Sequence, residues 1–175
     1  MTIDLGERLE EFIGLTSGAP RVADDEVSVA MIRHWCQAMG DRNPVYTDPD
    51  FAARSPFGSI VAPPTMLQTW THHDRRFPVA GSSENAEERL AQVLIAEGFT
   101  GVVATRCRAT YVRYLVPGDR TTYQSQIDSV SAPKTTALGE GYFIVVTMTF
   151  RDQADEIVGT MQFTTLRYRP ISGAS

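Results

Sequence analysis

Chemistry in this chain has few places to reside. Its histidines are His34, His72 and His73, and its cysteines are Cys36 and Cys107. The two thiols fit none of the short spacings that bind metal or cycle through a disulfide. His72 and His73, adjacent on a helix, would point about 100° apart, and no carboxylate is spaced to complete a ligand set. Neither a metal nor a cofactor is expected. His34, in Arg33-His34-Trp35 beside an apolar stripe, reads as structural. The densest reactive spacing is AMGDRNPVYTDPDFAARSPFGSIVAPPTM, residues 38–66. Asp41 could hold a water there, or brace its own turn as Asp and Asn side chains commonly do. Bracing is the expected role of both Asp41 and Asn43. Arg106 and Arg108 lie two apart in an alternating segment, so they share one strand face, with Arg113 and Arg120 nearby in sequence. Forked guanidinium groups suit phosphates; ordinary solvated arginines are the plainer reading. Met66, Trp70, Tyr111 and Tyr114 could line an apolar tunnel or pack in a core or dimer interface.

Two kinds of segment must position these residues. The first hundred read mainly helical. After an entry helix from Gly6 to Ile13, the segment SVAMIRHWCQAMG carries Met31, Ile32, Trp35, Ala38 and Met39 at helical spacing, predicting one buried stripe. Ser28 can cap its start and Gly40 its end. Prolines 44, 49, 56, 63 and 64 then forbid any long helix. Pro63 and Pro64 can open the next helix, TMLQTWTHHD. Residues 75–86 read as a loop, and ERLAQVLIAEGF as a helix ended by Gly98. From Thr100 the period changes to two. TRCRATYVRYLV, TTYQSQIDSVS, GYFIVVTMTF and EIVGTMQFTTLRYR predict antiparallel strands, separated by turns at Pro117-Gly118-Asp119, Pro133 to Gly141 and Arg151 to Asp155. Helices followed by such strands indicate an α+β domain.

The 38–66 stretch resembles the signature of the MaoC-like hydratase/dehydratase family. That signature is approximately Gly-Asp-x-Asn-Pro-x-His, then Asp-Pro-x-(Phe/Tyr)-Ala, then Ile-(Val/Ala)-His-Gly-Met. Gly40, Asp41, Asn43, Pro44, Asp48, Pro49, Phe51, Ala52, Ile60 and Val61 match it, and Pro117-Gly118-Asp119 matches a later strand start. The resemblance covers about residues 20–168. It implies an α+β hot dog fold, a long central helix wrapped by an antiparallel sheet that pairs with a second hot dog. Residues 72–99 would be an insertion, either a surface excursion or a flap enlarging an acyl pocket, with Leu90 and Leu94 expected to dock it. The tail 171–175 looks like a linker.

Two departures bear on activity. Active members pair an Asp with a His five residues later to activate water; here those positions are Asp41 and Tyr46. Tyrosine ionises near pH 10, too high for a general base at neutrality. The family's thioester oxygen is held by the N–H of the Gly in His-Gly-Met, where this chain reads Ala62-Pro63-Pro64-Thr65. Proline has no N–H, and losing one such donor costs roughly 100–1,000-fold in rate. The resemblance therefore implies no catalytic residue in this chain. It implies a substrate-shaping subunit of a heteromeric enoyl-CoA hydratase, acting on a bulky, steroid side-chain acyl group, beside a second hot dog that carries the Asp/His dyad. Candidate substrate contacts are Asn43, Thr65, Met66, Trp70, Arg106, Arg108 and Tyr111. The alternatives are a subunit of a long-chain (3R)-hydroxyacyl-thioester dehydratase, an acyl-CoA-binding module without catalytic role, and a self-sufficient hydratase using Asp41 with Tyr46. A hot dog thioesterase would need a carboxylate on the long helix, and Val29–Met39 has none.

Composition narrows the classes further. The 175 residues carry sixteen Lys/Arg against twenty-one Asp/Glu, a net charge of −5. An acidic chain lacks the clustered basic surface that nucleic-acid binding requires. No apolar run reaches the roughly 18 residues of a membrane span, and MTIDLGERLEEF is acidic where a signal peptide is basic and then apolar. A single soluble, cytoplasmic domain is expected, large enough to bury a core without disulfides.

Overall fold

Alternating Val, Ile, Thr, Tyr and Phe build one sheet over the second half of the chain, and short capped helices from the first half cover it. The computed structural model describes residues 4–72 and 85–171. In chain order the elements are α1 (Leu5–Glu10), β1 (Arg21–Val22), α2 (Val29–Met39), α3 (Pro44–Thr47), α4 (Pro49–Arg54), a 3-10 helix (Pro64–Thr71) and α5 (Ala86–Ala96). Strands β2 (Gly101–Tyr111), β3 (Thr122–Val130), β4 (Lys134–Thr136), β5 (Gly139–Arg151) and β6 (Ile157–Tyr168) follow. All pairings are antiparallel, in the order β1-β3-β5-β6-β2, with β4 folded onto β5. The long strands match the expected ones. The strand β2 stops at Tyr111 instead of running to Val116.

The two faces of the sheet differ as period-two patterning demands. Tyr142, Ile144, Val146 and Phe150 of β5 are buried. Between them Thr147 and Thr149 face Gln162 and Thr160 of β6 on the polar side. The apolar side carries two cores rather than one. The first gathers Val27, Ile32, Cys36, Tyr46, Met66, Leu67, Trp70 and Phe150 beneath α2 and the 3-10 helix. The second gathers Leu9, Phe12, Leu90, Leu94, Ile127, Ile144 and Val146 beneath α1 and α5. The expected central helix is α2, and the 3-10 helix shares its side of the sheet. Leu67 of the 3-10 helix sits over Gly159, where an added Cβ would come within 2.7 Å of its Cδ2.

Segment 85–99 docks on the sheet, as expected for Leu90 and Leu94. Leu90, Leu94 and Phe99 are buried, and the buried Ser125 hydroxyl of β3 donates to the Glu87 carboxylate. Asn85 caps the helix by accepting from Glu87 N and Glu88 N. Arg169 closes its far end, donating to Glu97 O at 2.8 Å and lying 4.5 Å from the Phe99 ring centre. The rest of the proposed insertion, including His73, and the tail 172–175 lie outside the described residues.

Helix α2 forms where Ser28 and Gly40 place it, but it buries less than its stripe promised. Ile32 and Cys36 are buried and Trp35 half-buried, whereas Met31 and Met39 are 45% and 66% exposed. No helix among the described residues is long and apolar enough to cross a membrane.

Candidate active-site half

The first part of the signature, Gly40 to Phe51, is a relay of side-chain caps. Gly40 ends α2 at φ +67°, a left-handed conformation that glycine adopts without penalty. Asp41 Oδ1 then accepts from Asn43 N at 2.9 Å, and Asn43 Oδ1 from Val45 N at 3.2 Å. Asp48 Oδ1 accepts from Phe51 N at 3.0 Å. Pro44 and Pro49 each take the first turn of the helix that follows, where a missing N–H costs nothing. Asp41 and Asn43 thus brace the turn, the role expected of them.

Tyr46 ends up inside. It is 8% exposed, in the first core with Cys36 and Val45. Burial, the neighbouring Tyr114 phenol and the Asp41 charge all push its ionisation above the ordinary tyrosine range. At neutral pH it is a protonated phenol and holds no lone pair basic enough to take a proton from water. Burial and Asp41 likewise push the Cys36 thiol up, so it is no thiolate nucleophile.

The second station is the corner before the 3-10 helix. Ala62 N donates to Leu115 O at 2.8 Å, Pro63 and Pro64 follow, and Met66 N turns back to Pro63 O at 2.9 Å. Thr65 N–H is the first donor after the prolines, and its side chain is exposed. Ala62, Pro63, Pro64, Leu67, Tyr111 and Leu115 surround a cleft of about 10 Å³, and Arg113 completes it. That is room for one water at most, far below an acyl chain.

The remaining candidates divide. Tyr111 joins this corner, 41% exposed. Met66 is fully buried and Trp70 is 8% exposed, its indole N–H without a hydrogen-bond partner among the described residues; both are core residues in this chain. Arg106 and Arg108 pair with Thr164 and Gln162 on the polar face of β2, opposite the face that carries Tyr111. They do not converge with Arg113 and Arg120. Arg113 is committed to Asp119 and Asp152, at 2.7 Å each, and Arg120 lies 3.7 Å from Glu26. Arg106 and Arg108 thus form one exposed pair, as the plainer reading had it, and the ligand-binding alternative gains no support from Arg113 and Arg120, because acids in the Pro-Gly-Asp and Asp152 turns capture Arg113. His34 is exposed rather than packed. No group of His, Cys, Asp and Glu among the described residues could hold a metal ion. A larger concavity of about 500 Å³ lies mainly against the polar side of β3 and β5, lined by groups such as Gln124, Gln126, Asp128 and Thr149.

Sequence reasoning missed the Arg113 linkage and the place of Tyr114 beside Tyr46. Asp119 and Asp152, both in turns but 33 residues apart, were its available signal, legible only once β5 and β6 are paired.

Known proteins agree with this geometry. A probable enoyl-CoA hydratase alpha subunit of Thermomonospora curvata is 44% identical over 168 residues, covering 95% of this chain and 53% of that protein. The 3-oxo-4,17-pregnadiene-20-carboxyl-CoA hydratase alpha subunit of Mycobacterium tuberculosis is 35% identical over 175 residues, covering 98% and 54%. The chain thus spans about half the length of these curated relatives. Among solved structures, a chain of the ChsH1–ChsH2 complex of M. tuberculosis superposes with a TM-score of 0.87 at 35% identity, covering 95% of this chain and 97% of that one. The (R)-hydratase of A. caviae shares the hot dog fold at a TM-score of 0.57 and 15% identity, over 87% and 94% of the two chains. The model of the FAS1-like dehydratase domain region matches residues 11–161, and the chain belongs to that family.

Proposed function

We propose that this chain is the non-catalytic, substrate-shaping hot dog of a heteromeric enoyl-CoA hydratase, and that a second hot dog carrying an Asp/His dyad performs the chemistry. The observation that carries the reading is the state of the dyad position, where a buried, protonated Tyr46 stands five residues after an Asp41 already spent on a turn. The proline corner and its cleft of about 10 Å³ support it. The names of both alpha-subunit relatives, and a structural neighbour taken from a two-protein complex, support the heteromer. The pregnadiene-carboxyl-CoA relative supports a bulky, ring-bearing acyl group.

In the assembly the partner's dyad removes a proton from water as its oxygen attacks the β-carbon of the enoyl thioester. The same dyad then returns a proton to the α-carbon, so water adds across the double bond. A backbone N–H of the partner holds the enolate oxygen meanwhile. This chain supplies wall: the exposed face of α2 with Met31 and Met39, and Tyr111 at the proline corner.

The test is hydration of a short and of a steroid enoyl-CoA, followed by loss of the conjugated thioester absorbance. The chain alone should give no turnover, and adding the hot dog partner with its Asp/His dyad should restore it. Robust turnover by the lone chain would refute the reading.

A further inference from the structure

The strand β2 ends the sheet, and seven consecutive residues of it, Val102 to Arg108, are exposed. An edge strand open on both faces offers unpaired N–H and C=O groups to any other edge. Its inward positions carry the small side chains of Cys107 and Ala109, which allow close approach. Its polar face carries Arg106 and Arg108, and among the described residues neither side chain makes a hydrogen bond or ion pair.

Self-pairing of this edge has a geometric cost. In a two-fold antiparallel pairing of β2 with its own copy, a register centred on residue 106 sets Arg106 against Arg106. One centred on 107 sets Arg106 against Arg108 twice, and one centred on 108 sets Arg108 against Arg108. These registers surround the middle of the strand, and like charges directly opposite on one face repel. A bulge between Ala104 and Arg106 spoils the registers displaced toward the N-terminal half. The same two positions gain if the facing strand carries carboxylates.

We infer that Arg106 and Arg108 are a partner-selection device: they reject a second copy of this chain at the β2 edge and admit a different chain whose edge strand presents Asp or Glu at the facing positions. Specificity of this kind needs the repulsive element as well as the attractive one. The inference rests on the heteromer proposed above and names the chemistry of its partner's edge.

Sedimentation velocity and amide hydrogen exchange on the full chain test it without the natural partner. Wild type alone and R106E/R108E alone should stay unpaired at β2. Their equimolar mixture places arginines against glutamates, and should associate at least tenfold more tightly than either parent, less so at high salt, with β2 amides protected. The neutral R106T/R108T variant should self-associate more than wild type through the same amides. A mixture no tighter than its parents, or a wild type that already dimerises with β2 protected, would overturn the inference. If R106T/R108T protects β2 while the mixture gains nothing, the edge still docks a partner and the heteromer stands, but the arginines do not choose it. If β2 is protected in no combination, the inference falls, and the hydratase test decides the heteromer separately.

Discussion

Replacing Arg113 with Met should be the most damaging single change outside the apolar cores. Its guanidinium donates to Asp119 Oδ2 and Asp152 Oδ2 at 2.7 Å each and to Tyr114 O at 2.9 Å. Both carboxylates are only 6% exposed, whereas Arg113 is 36% exposed. Asp119 also accepts from Val116 N, and Asp152 from Ala154 N and Glu156 N, so the triad ties the Pro-Gly-Asp turn to the β5–β6 turn. Removing one partner of a buried pair costs about 3–5 kcal/mol. Partial exposure of Arg113 screens the interaction, so about 3 kcal/mol is the working figure. At about 2–4 °C per kcal/mol for a chain of this size, Tm should fall by roughly 6–12 °C at pH 7.

The pH dependence follows in sign. The Arg113 hydrogen bonds, outweighing burial, hold the Asp119 carboxyl below the usual carboxylate range, and do the same for Asp152. A depressed folded-state pKa contributes stability that is present above the unfolded value of about 4 and is lost as pH falls through the folded value. The gap between wild type and R113M should therefore be full at pH 6–7 and shrink below about pH 4. Adding D119N and D152N to R113M should recover part of the loss, because no unpaired charge remains buried. Urea unfolding at several pH values reads wild type and both variants. A cost at pH 7 under about 1 kcal/mol, or a gap that does not narrow in acid, would refute the reasoning.

Three further outcomes are expected. Tyr46→Phe keeps the buried ring and removes the phenol, so turnover of the proposed hydratase assembly should stay within about twofold; a loss of about 100-fold would make the phenol a catalytic group. Leu94→Ala should lower stability by about 2–5 kcal/mol in urea unfolding, since Leu94 is fully buried, whereas a solvated flap would lose under about 0.5 kcal/mol. Gly40→Ala meets nothing within 4 Å of its new Cβ, so thermal unfolding should report the backbone cost alone, about 1–2 kcal/mol for a left-handed residue.

The parts of the fold legible from the sequence are those whose signal is local. Ser28 and Gly40 bound α2 at the residues expected, and the alternating runs became β2, β3, β5 and β6. Prolines 44 and 49 carry two meanings. They forbid a long helix, yet each starts a short one, and only the caps from Asn43 and Asp48 decide between these. The two-residue β1 exists by pairing with Tyr123 and Thr122, which no local pattern announces. The stripe of α2 is apolar as read, but periodicity cannot say what covers it, and Met31 and Met39 lie open. At the site, Asp41, Tyr46 and the proline corner were legible because they depend on residue type. The separation of Arg106 and Arg108 from Tyr111 follows from their odd spacing within one unbroken stretch of strand, whereas the capture of Arg113 depends on a turn brought in from Asp152.

The cap relay from Gly40 to Phe51 separates grammar from meaning. Each of Gly40, Asp41, Asn43, Pro44, Asp48 and Pro49 has a local task in shaping the backbone, and none of those tasks needs a working base. A pattern search that recovers this peptide therefore recovers a chain path. On the function proposed above, whether that path still leads to a reaction turns on what stands at position 46 and at the proline corner, and a survey of such chains sorted by those residues would divide enzymes from their escorts.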